Sequence, residues 1–530
     1  MRSRAVLVAL LALLTLVNAP TRQGVQAAGG STLDRPADPV VLTGADVPSL
    51  QGVAPGDIVA FSYSGGWQQV PVQVDERFVQ NFKTIYNNVP PPTSSTNITV
   101  LVYADPNTFT GADPDPNLDG DDEIAFMAKD AGGTPPPFSE PAHVVHGSGV
   151  ELTISDPLQP SQTGVVFLFK QDGTLSPGAG LSYVTYNFNL LSGPYLTTYH
   201  LADGPNAENS TVTTPYYARH FGDRWLDDEL HVTAGAASGA DILDRHKALF
   251  APGNCARSED TFDNGDSVGF PGEGAFVVNK SGPVRAIRSW VGANSGPNTQ
   301  REEVLYAQRE DIRTYLRVHQ INSIMDFFDY SPAAAGMTYY NDLNLGGVTI
   351  DGVPEAPALG PIHWEMVTGA QGSLVIAGAI STNIPGFGYT SYYLDSTTPV
   401  TQCTGDAFAY GSSGVYVNQS VPCTDPGLSC TTYLNTVRTM YYGPPGETVA
   451  DAQALSAQAM APLTFTASAW TAAVGGIAQE PAVGALPPQP GAGGRPLLAV
   501  VTITLLAIAI GTGAWLALRQ RPHRSARNRD

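Results

Sequence analysis

The sequence predicts a mainly β protein: a small N-terminal β domain, a large antiparallel β-sandwich region and one C-terminal transmembrane helix. Three observations carry that expectation. Short runs rich in Val, Ile, Tyr, Phe and Thr recur between clusters of Gly, Pro, Asn and Asp. Helix patterns are rare. An uncharged apolar stretch over 496–518 is 23 residues long, enough to cross about 30 Å of hydrocarbon as a helix. The full 530 residues are too many for one ordinary core and correspond to two or three domains or one large β assembly.

In chain order, Arg2 and Arg4 precede an apolar run over Ala5–Val17, and Ala27 and Ala28 offer small residues for cleavage. That is the pattern of a secretory signal peptide over 1–27. An N-terminal β domain is expected over 28–145, closed by the Pro-rich Thr134–Pro137 and the turn Gly147–Gly149. The sandwich region, 146–470, is too long for one immunoglobulin-size sandwich. Strands are expected over Asn97–Tyr103, Gly164–Lys170, Tyr183–Phe188, Gly274–Asn279 and Ser373–Ala377. Alternation is clearest over Asp311–His319, where Ile312, Thr314, Leu316 and Val318 interleave with Arg313, Tyr315, Arg317 and His319. One face of that strand is buried and the other wet. A helix is expected over Val449–Met460, with Thr448 as N-cap, Asp451 at the capping-box position and Pro462 beyond its end. Residues 471–495, rich in Gly, Pro and Ala, read as a tether. After the membrane helix 496–518, the tail 519–530 carries Arg519, Arg521, Arg524, Arg527 and Arg529, which the positive-inside rule keeps in the cytoplasm. The expectation is a single-pass type I protein of the cell membrane with its body outside the cell.

Charge narrows the partners. The chain holds 48 Asp plus Glu against 27 Lys plus Arg, a net −21. Without the leader and the tail, 19 cations and 47 acids remain, a formal net charge of −28. Such a surface repels nucleic acid, which needs a basic footprint, and attracts divalent cations. The four cysteines, Cys255, Cys403, Cys423 and Cys430, lie in the exported body, where disulfides are favoured over thiols or zinc. Of the three pairings, Cys423 with Cys430 and Cys255 with Cys403 is preferred. Asn97, Asn209, Asn279 and Asn418 begin sequons, which mark surface positions where the cell glycosylates them.

The densest local signal is acidic. Asp113, Asp115, Asn117, Asp119, Asp121 and Glu123 place oxygen ligands on alternate residues, and Gly120 permits a tight turn. That is the logic of a calcium loop, although an EF-hand fails because its twelfth position is Phe126. A structural Ca2+ of another loop type is one reading, and a solvated acidic turn before the strand Glu123–Ala128 is the other.

Catalytic signatures are sparse. Gly265–Gly269 fits Gly-x-Ser-x-Gly without the strand and helix of a nucleophile elbow. No zinc helix, phosphate loop or dinucleotide fingerprint occurs, so no nucleotide or redox cofactor is expected. Trp225 sits among Asp223, Asp227, Asp228 and Glu229, and Trp364 between His363 and Glu365. A sugar ring can stack on Trp while acids hold its hydroxyls; a half-buried Trp with salt-linked neighbours is the alternative. On the wet face of 311–319, Arg313, Arg317 and His319 flank Tyr315 and suit an acidic sugar or carboxylate. If residues 301–308 pair with that strand through a turn at Arg309–Glu310, Glu302 faces Arg317 and Tyr306 faces Arg313, and cross-strand pairs account for the charges instead.

The segments Val70–Glu76 and Ser281–Ala286 resemble exported bacterial proteins that join a small β barrel to a large sandwich, as in rhamnogalacturonan lyase-like enzymes. No lyase base or acid of that group maps onto a residue here. Asp121–Met127 and Asp241–Lys247 resemble an uncharacterised family of bacterial exported, membrane-anchored β-sandwich proteins, which implies a class and not an activity. The expected function is a cell-surface structural or glycan-binding module. The alternative is a carbohydrate-active enzyme, a lyase or hydrolase of acidic polysaccharide, using Asp227, Glu229 or Glu365 as acid or base.

Overall fold

Apolar residues at every second position of Pro39–Thr43 and Val150–Asp156 turn Val40, Leu42, Val150, Leu152 and Ile154 to one side. That side needs a cover, and two antiparallel sheets supply it for each other. One runs in the order Thr464–Ala469, Val150–Asp156, Gln159–Lys170, Ile58–Tyr63, Trp67–Val70; the other is Pro39–Thr43, Glu123–Met127, Gln73–Asp75. Ile58, Val70, Ile124, Phe126, Val166 and Leu168 complete the core between them. The computed structural model describes residues 30–82, 98–137, 139–191, 208–223, 225–250, 274–292, 299–317, 323–399, 405–420, 432–470 and 479–480. The chain is mainly β, in several antiparallel sheets.

The division expected at 145/146 passes through this first core. Three strands of the larger sheet come from beyond it, one of them, Thr464–Ala469, from the end of the body.

Downstream, a nine-stranded sheet runs in the order Ala275–Ser281, Ala286–Val291, Thr299–Leu305, Arg309–Arg317, Tyr433–Gly443, Gly372–Thr382, Trp364–Gly369, Thr338–Asn341, Asn344–Thr349. Two four-stranded sheets, one over Thr185–Val232 and one built on Leu243–Phe250, Ile324–Tyr330, Ala409–Val417 and Thr390–Ser396, face its inner side. Tyr217, Phe221, Leu230, Phe328 and Tyr330 from the small sheets meet Ile312, Leu374, Ile376, Met440 and Tyr442 of the large one.

The outer side of the large sheet is covered at both flanks. Tyr103, Ala125 and Met127 pack on Ile287 and Val304, and Phe82 and Val102 on Ala275, Val277 and Val291. At the other flank the helix Val449–Met460 lays Ala452 against Trp364, Met366, Val375 and Tyr441. Its Thr448 hydroxyl accepts from the Asp451 N–H while the Asp451 carboxylate accepts from the Thr448 N–H, the capping box read in the sequence. At its far end Arg35 donates to the carbonyls of Gln458 and Ala461 at 2.6 and 2.7 Å, satisfying acceptors the helix leaves open.

Among the described residues no helix is long and apolar enough to cross a membrane. The leader, the stretch 496–518 and the tail lie outside the described residues, as do all four cysteines, Asn97 and His319. Of the linker, Gln479–Glu480 is described, running parallel to Glu140–Pro141.

Candidate functional site

Between the two flanking covers, the outer face of the nine-stranded sheet presents Arg313, Tyr315 and Arg317. Ile312, Thr314 and Leu316 on the same strand point inward and are buried. The hairpin to the preceding strand turns two residues earlier than the sequence led us to expect. Tyr306 N–H donates to Arg309 O at 2.8 Å, so Glu302 lies opposite Arg313 and Gln300 opposite Tyr315. On the other side, Val437, Asn435 and Tyr433 lie opposite Arg313, Tyr315 and Arg317.

This register decides the charges. Glu302 takes Arg313 at 2.9 Å, and Arg317 is left with a neutral partner, Gln300 Oε1, at 2.8 Å from Nη2. Its Nη1 is buried and has no hydrogen-bond partner among the described residues. The guanidinium lies 5.6 Å from the Phe82 ring and 5.3 Å from the Tyr315 ring, close enough for cation–π attraction. Burial pulls Arg317 down to about 10, against the opposing fields of Tyr315 and Glu302. Burial, then Glu302, pushes the Tyr315 phenol up to about 12.

The sites nominated for acid–base work are placed differently. Asp227 is 3% exposed and paired with Arg219, which also holds Glu310. Glu365 is 4% exposed and accepts from Arg438 at 3.1 Å and from the Tyr339 hydroxyl at 3.4 Å. Burial raises its pKa against the pull of Arg438. Both carboxylates are therefore partners of interior arginines and not groups open to substrate. Glu229 is exposed beside His231 at 3.4 Å. Trp225 is buried, donates its indole N–H to Gly292 O at 2.7 Å and lies edge-on to Trp290, with no ring face free for a sugar. Trp364 is buried under the helix.

The acidic loop also regroups. Glu123 leaves it, bonding Arg77 at 2.6 Å, Arg285 at 2.7 Å and the Tyr103 hydroxyl at 2.8 Å. Asp122 takes its place, fully buried and accepting N–H bonds from Arg77 and Asp119. Asp119, Asp121 and Asp122 come together, whereas Asp113 and Asp115 accept from backbone N–H groups two residues on. A hydrogen bond to Asp119 pushes Asp121 up to about 6. The six alternate residues thus do not converge as one cup. Elsewhere a cleft of about 460 Å³ is lined by Val72, Gln73, Asp75, Ser176, Lys280 and Pro283. Its polar groups are engaged, Asp75 with Arg285 and Lys280, Gln73 with the N–H groups of Val284 and Arg285.

No protein-family model matches the chain, and no curated protein matches it at a significant level. Among solved structures, a candidate aldose 1-epimerase from Escherichia coli K12 is similar at 10% identity and a TM-score of 0.25, over 48% of this chain and all of that one. Likeness at that level assigns neither family nor activity.

Sequence reasoning did not foresee the charged interior of the sandwich. Arg288 holds Glu208 through two bonds at 2.8 and 3.0 Å; Arg301 and Arg438 converge on Asp326, with His246 2.7 Å from the same carboxylate. Glu303, opposite Arg288 and in the field of Glu310, is pushed up to about 7, first by burial. Every residue of Thr299–Leu305 is buried, charged ones included, so no polar alternation marks which of its acids points inward.

Proposed function

We propose that this chain is a single-pass cell-membrane protein with an exported body, and that the body binds acidic glycans on the face formed by Arg313, Tyr315, Arg317 and Gln300. One observation carries the binding reading. Among the described residues Arg317 has no carboxylate within 4.0 Å, and one of its nitrogens is buried without a partner. A sugar carboxylate drawn to this half-buried guanidinium would supply the charged partner that Gln300 does not, and the Tyr315 ring beside it gives a pyranose a surface to pack on. Export and anchoring rest on the leader, the apolar 496–518 and the five arginines after it. Of the residues nominated for acid–base work, Asp227 and Glu365 already neutralise buried arginines, and Glu229 stands exposed beside His231.

The test is binding of the full-length chain, in detergent micelles, to a polyuronic acid oligosaccharide and to a neutral one of equal length. The acidic oligosaccharide should bind, and Arg317→Ala should weaken it about ten- to a hundredfold, the worth of hydrogen bonds to a charged group, with the thermal midpoint unchanged. Equal affinity for both oligosaccharides, or for parent and variant, would refute the reading.

A further inference from the structure

A second gathering of carboxylates lies where the loop after strand Asn344–Thr349 meets strand Thr390–Ser396. Asp395 is fully buried, and its two oxygens accept the backbone N–H groups of Asp351 and Gly352 at 2.9 Å each, folding the loop back over it. One carboxylate oxygen from each of Asp351, Glu355 and Asp395 lies within 4.8 Å of the other two. Oxygens bound to one calcium ion at about 2.4 Å can be at most about 4.8 Å apart, so the three fit a single ion. Like charges this close repel, and among the described residues no Lys, Arg or His forms an ion pair with any of them.

Two more polar atoms point the same way. Oε2 of Glu355 and the hydroxyl of Tyr393 are both buried, and among the described residues neither has a hydrogen-bond partner. Tyr393 is only 9% exposed. Its ring stacks on Tyr339 with centroids 4.6 Å apart, and its hydroxyl lies in the field of Asp395, Glu355 and Asp351. A buried hydroxyl in the field of three acids would normally find an acceptor or a bridging group.

We propose that Asp351, Glu355 and Asp395, with the Tyr393 hydroxyl beside them, form a calcium site that ties the 350–361 loop to strand Thr390–Ser396. The cation offsets the repulsion among the carboxylates and takes up the unpaired oxygens, directly or through its bound water. Asp351 is exposed and leaves an approach for the ion. The site is separate from the Arg317 face and independent of what that face binds.

Calorimetric titration of the full-length chain with CaCl2 tests this. Glu355→Gln and Asp351→Asn should each weaken one binding event at least about tenfold, because each removes a charged ligand, while Asp121→Asn in the acidic loop leaves that event intact. Terbium offers a second readout: emission sensitised by a tyrosine beside the ion should fall in Tyr393→Phe, a variant that keeps the ring and its stacking. Absence of calcium binding by the parent chain, an isotherm unmoved by Glu355→Gln and Asp351→Asn, or an event lost only in Asp121→Asn would overturn the proposal.

Discussion

His246 is 1% exposed, and its Nε2 lies 2.7 Å from Asp326 Oδ1, a carboxylate already shared by Arg301 and Arg438. Burial, then Arg301, holds its pKa down to about 3, so the folded ring stays neutral where an unfolded histidine, near 6.5, takes a proton. The unfolded state then binds more protons between about pH 6.5 and 3, and stability falls as pH drops through that window. Asp130 and Asp329, both pushed up to about 6 chiefly by burial, have the opposite sign, because the folded state keeps their protons. The comparison of variants isolates the histidine: between pH 7 and 4 the midpoint of urea unfolding should fall less steeply in His246→Gln than in the parent, and equal slopes would contradict neutral burial. At this scale the sequence is half legible. Alternation puts Arg313, Tyr315 and Arg317 on one face, but which arginine is paired depends on where the hairpin turns. Tyr306–Arg309 contains no Gly, Asn, Asp or Pro to mark that turn.

Elements differ in how much of their own cause they carry. The helix Val449–Met460 is readable because its cap is local: Thr448, Asp451 and Pro462 lie within one turn of its ends. Thr299–Leu305 is not, because both its faces are covered and its charges are matched by residues of other strands, Glu302 by Arg313, Glu303 by Arg288 and Arg301 by Asp326. Gly414 shows what such covering demands. It lies opposite Phe327 in the pair Ile324–Tyr330 with Ala409–Val417. A Cβ there would fall 2.3 Å from Asp326 O and 2.5 Å from Phe327 Cα, both backbone atoms that cannot swing aside. Gly414→Ala should therefore destabilise the protein by about 3 kcal/mol through overpacking, read as a lower urea midpoint. Gly378, whose Cβ would meet nothing within 4 Å, is the control, and a Gly378→Ala change of similar size would remove steric conflict as the cause.

Across the whole molecule, the first core is closed by the last strand of the body. Thr464–Ala469 pairs with Val150–Asp156, more than 300 residues away in sequence, and no local pattern announces such a partner. This is why punctuation near residue 145 reads as a boundary while the sheet passes through it. A chain ending at Pro462 should lose that strand and bare the edge of Val150–Asp156. A lower thermal midpoint and a rise in light scattering are expected, since an open edge invites pairing between molecules; unchanged values would mean that the strand adds nothing to the core. Trp470 follows directly, its ring edge-on to Phe167 and Trp67 at 5.0 and 6.5 Å and its indole N–H on Ser139 O at 3.0 Å. Together they determine how the body carries mechanical load. A pull from the C-terminal side would meet the pairing of Gln479–Glu480 with Glu140–Pro141, then the Trp470 plug, and then Thr464–Ala469, where a pull along the strand is shared by six residue pairs. The sheet that bears Arg317 lies off this path, so such a pull would be taken up by the first core before it reached the face proposed to bind acidic glycans.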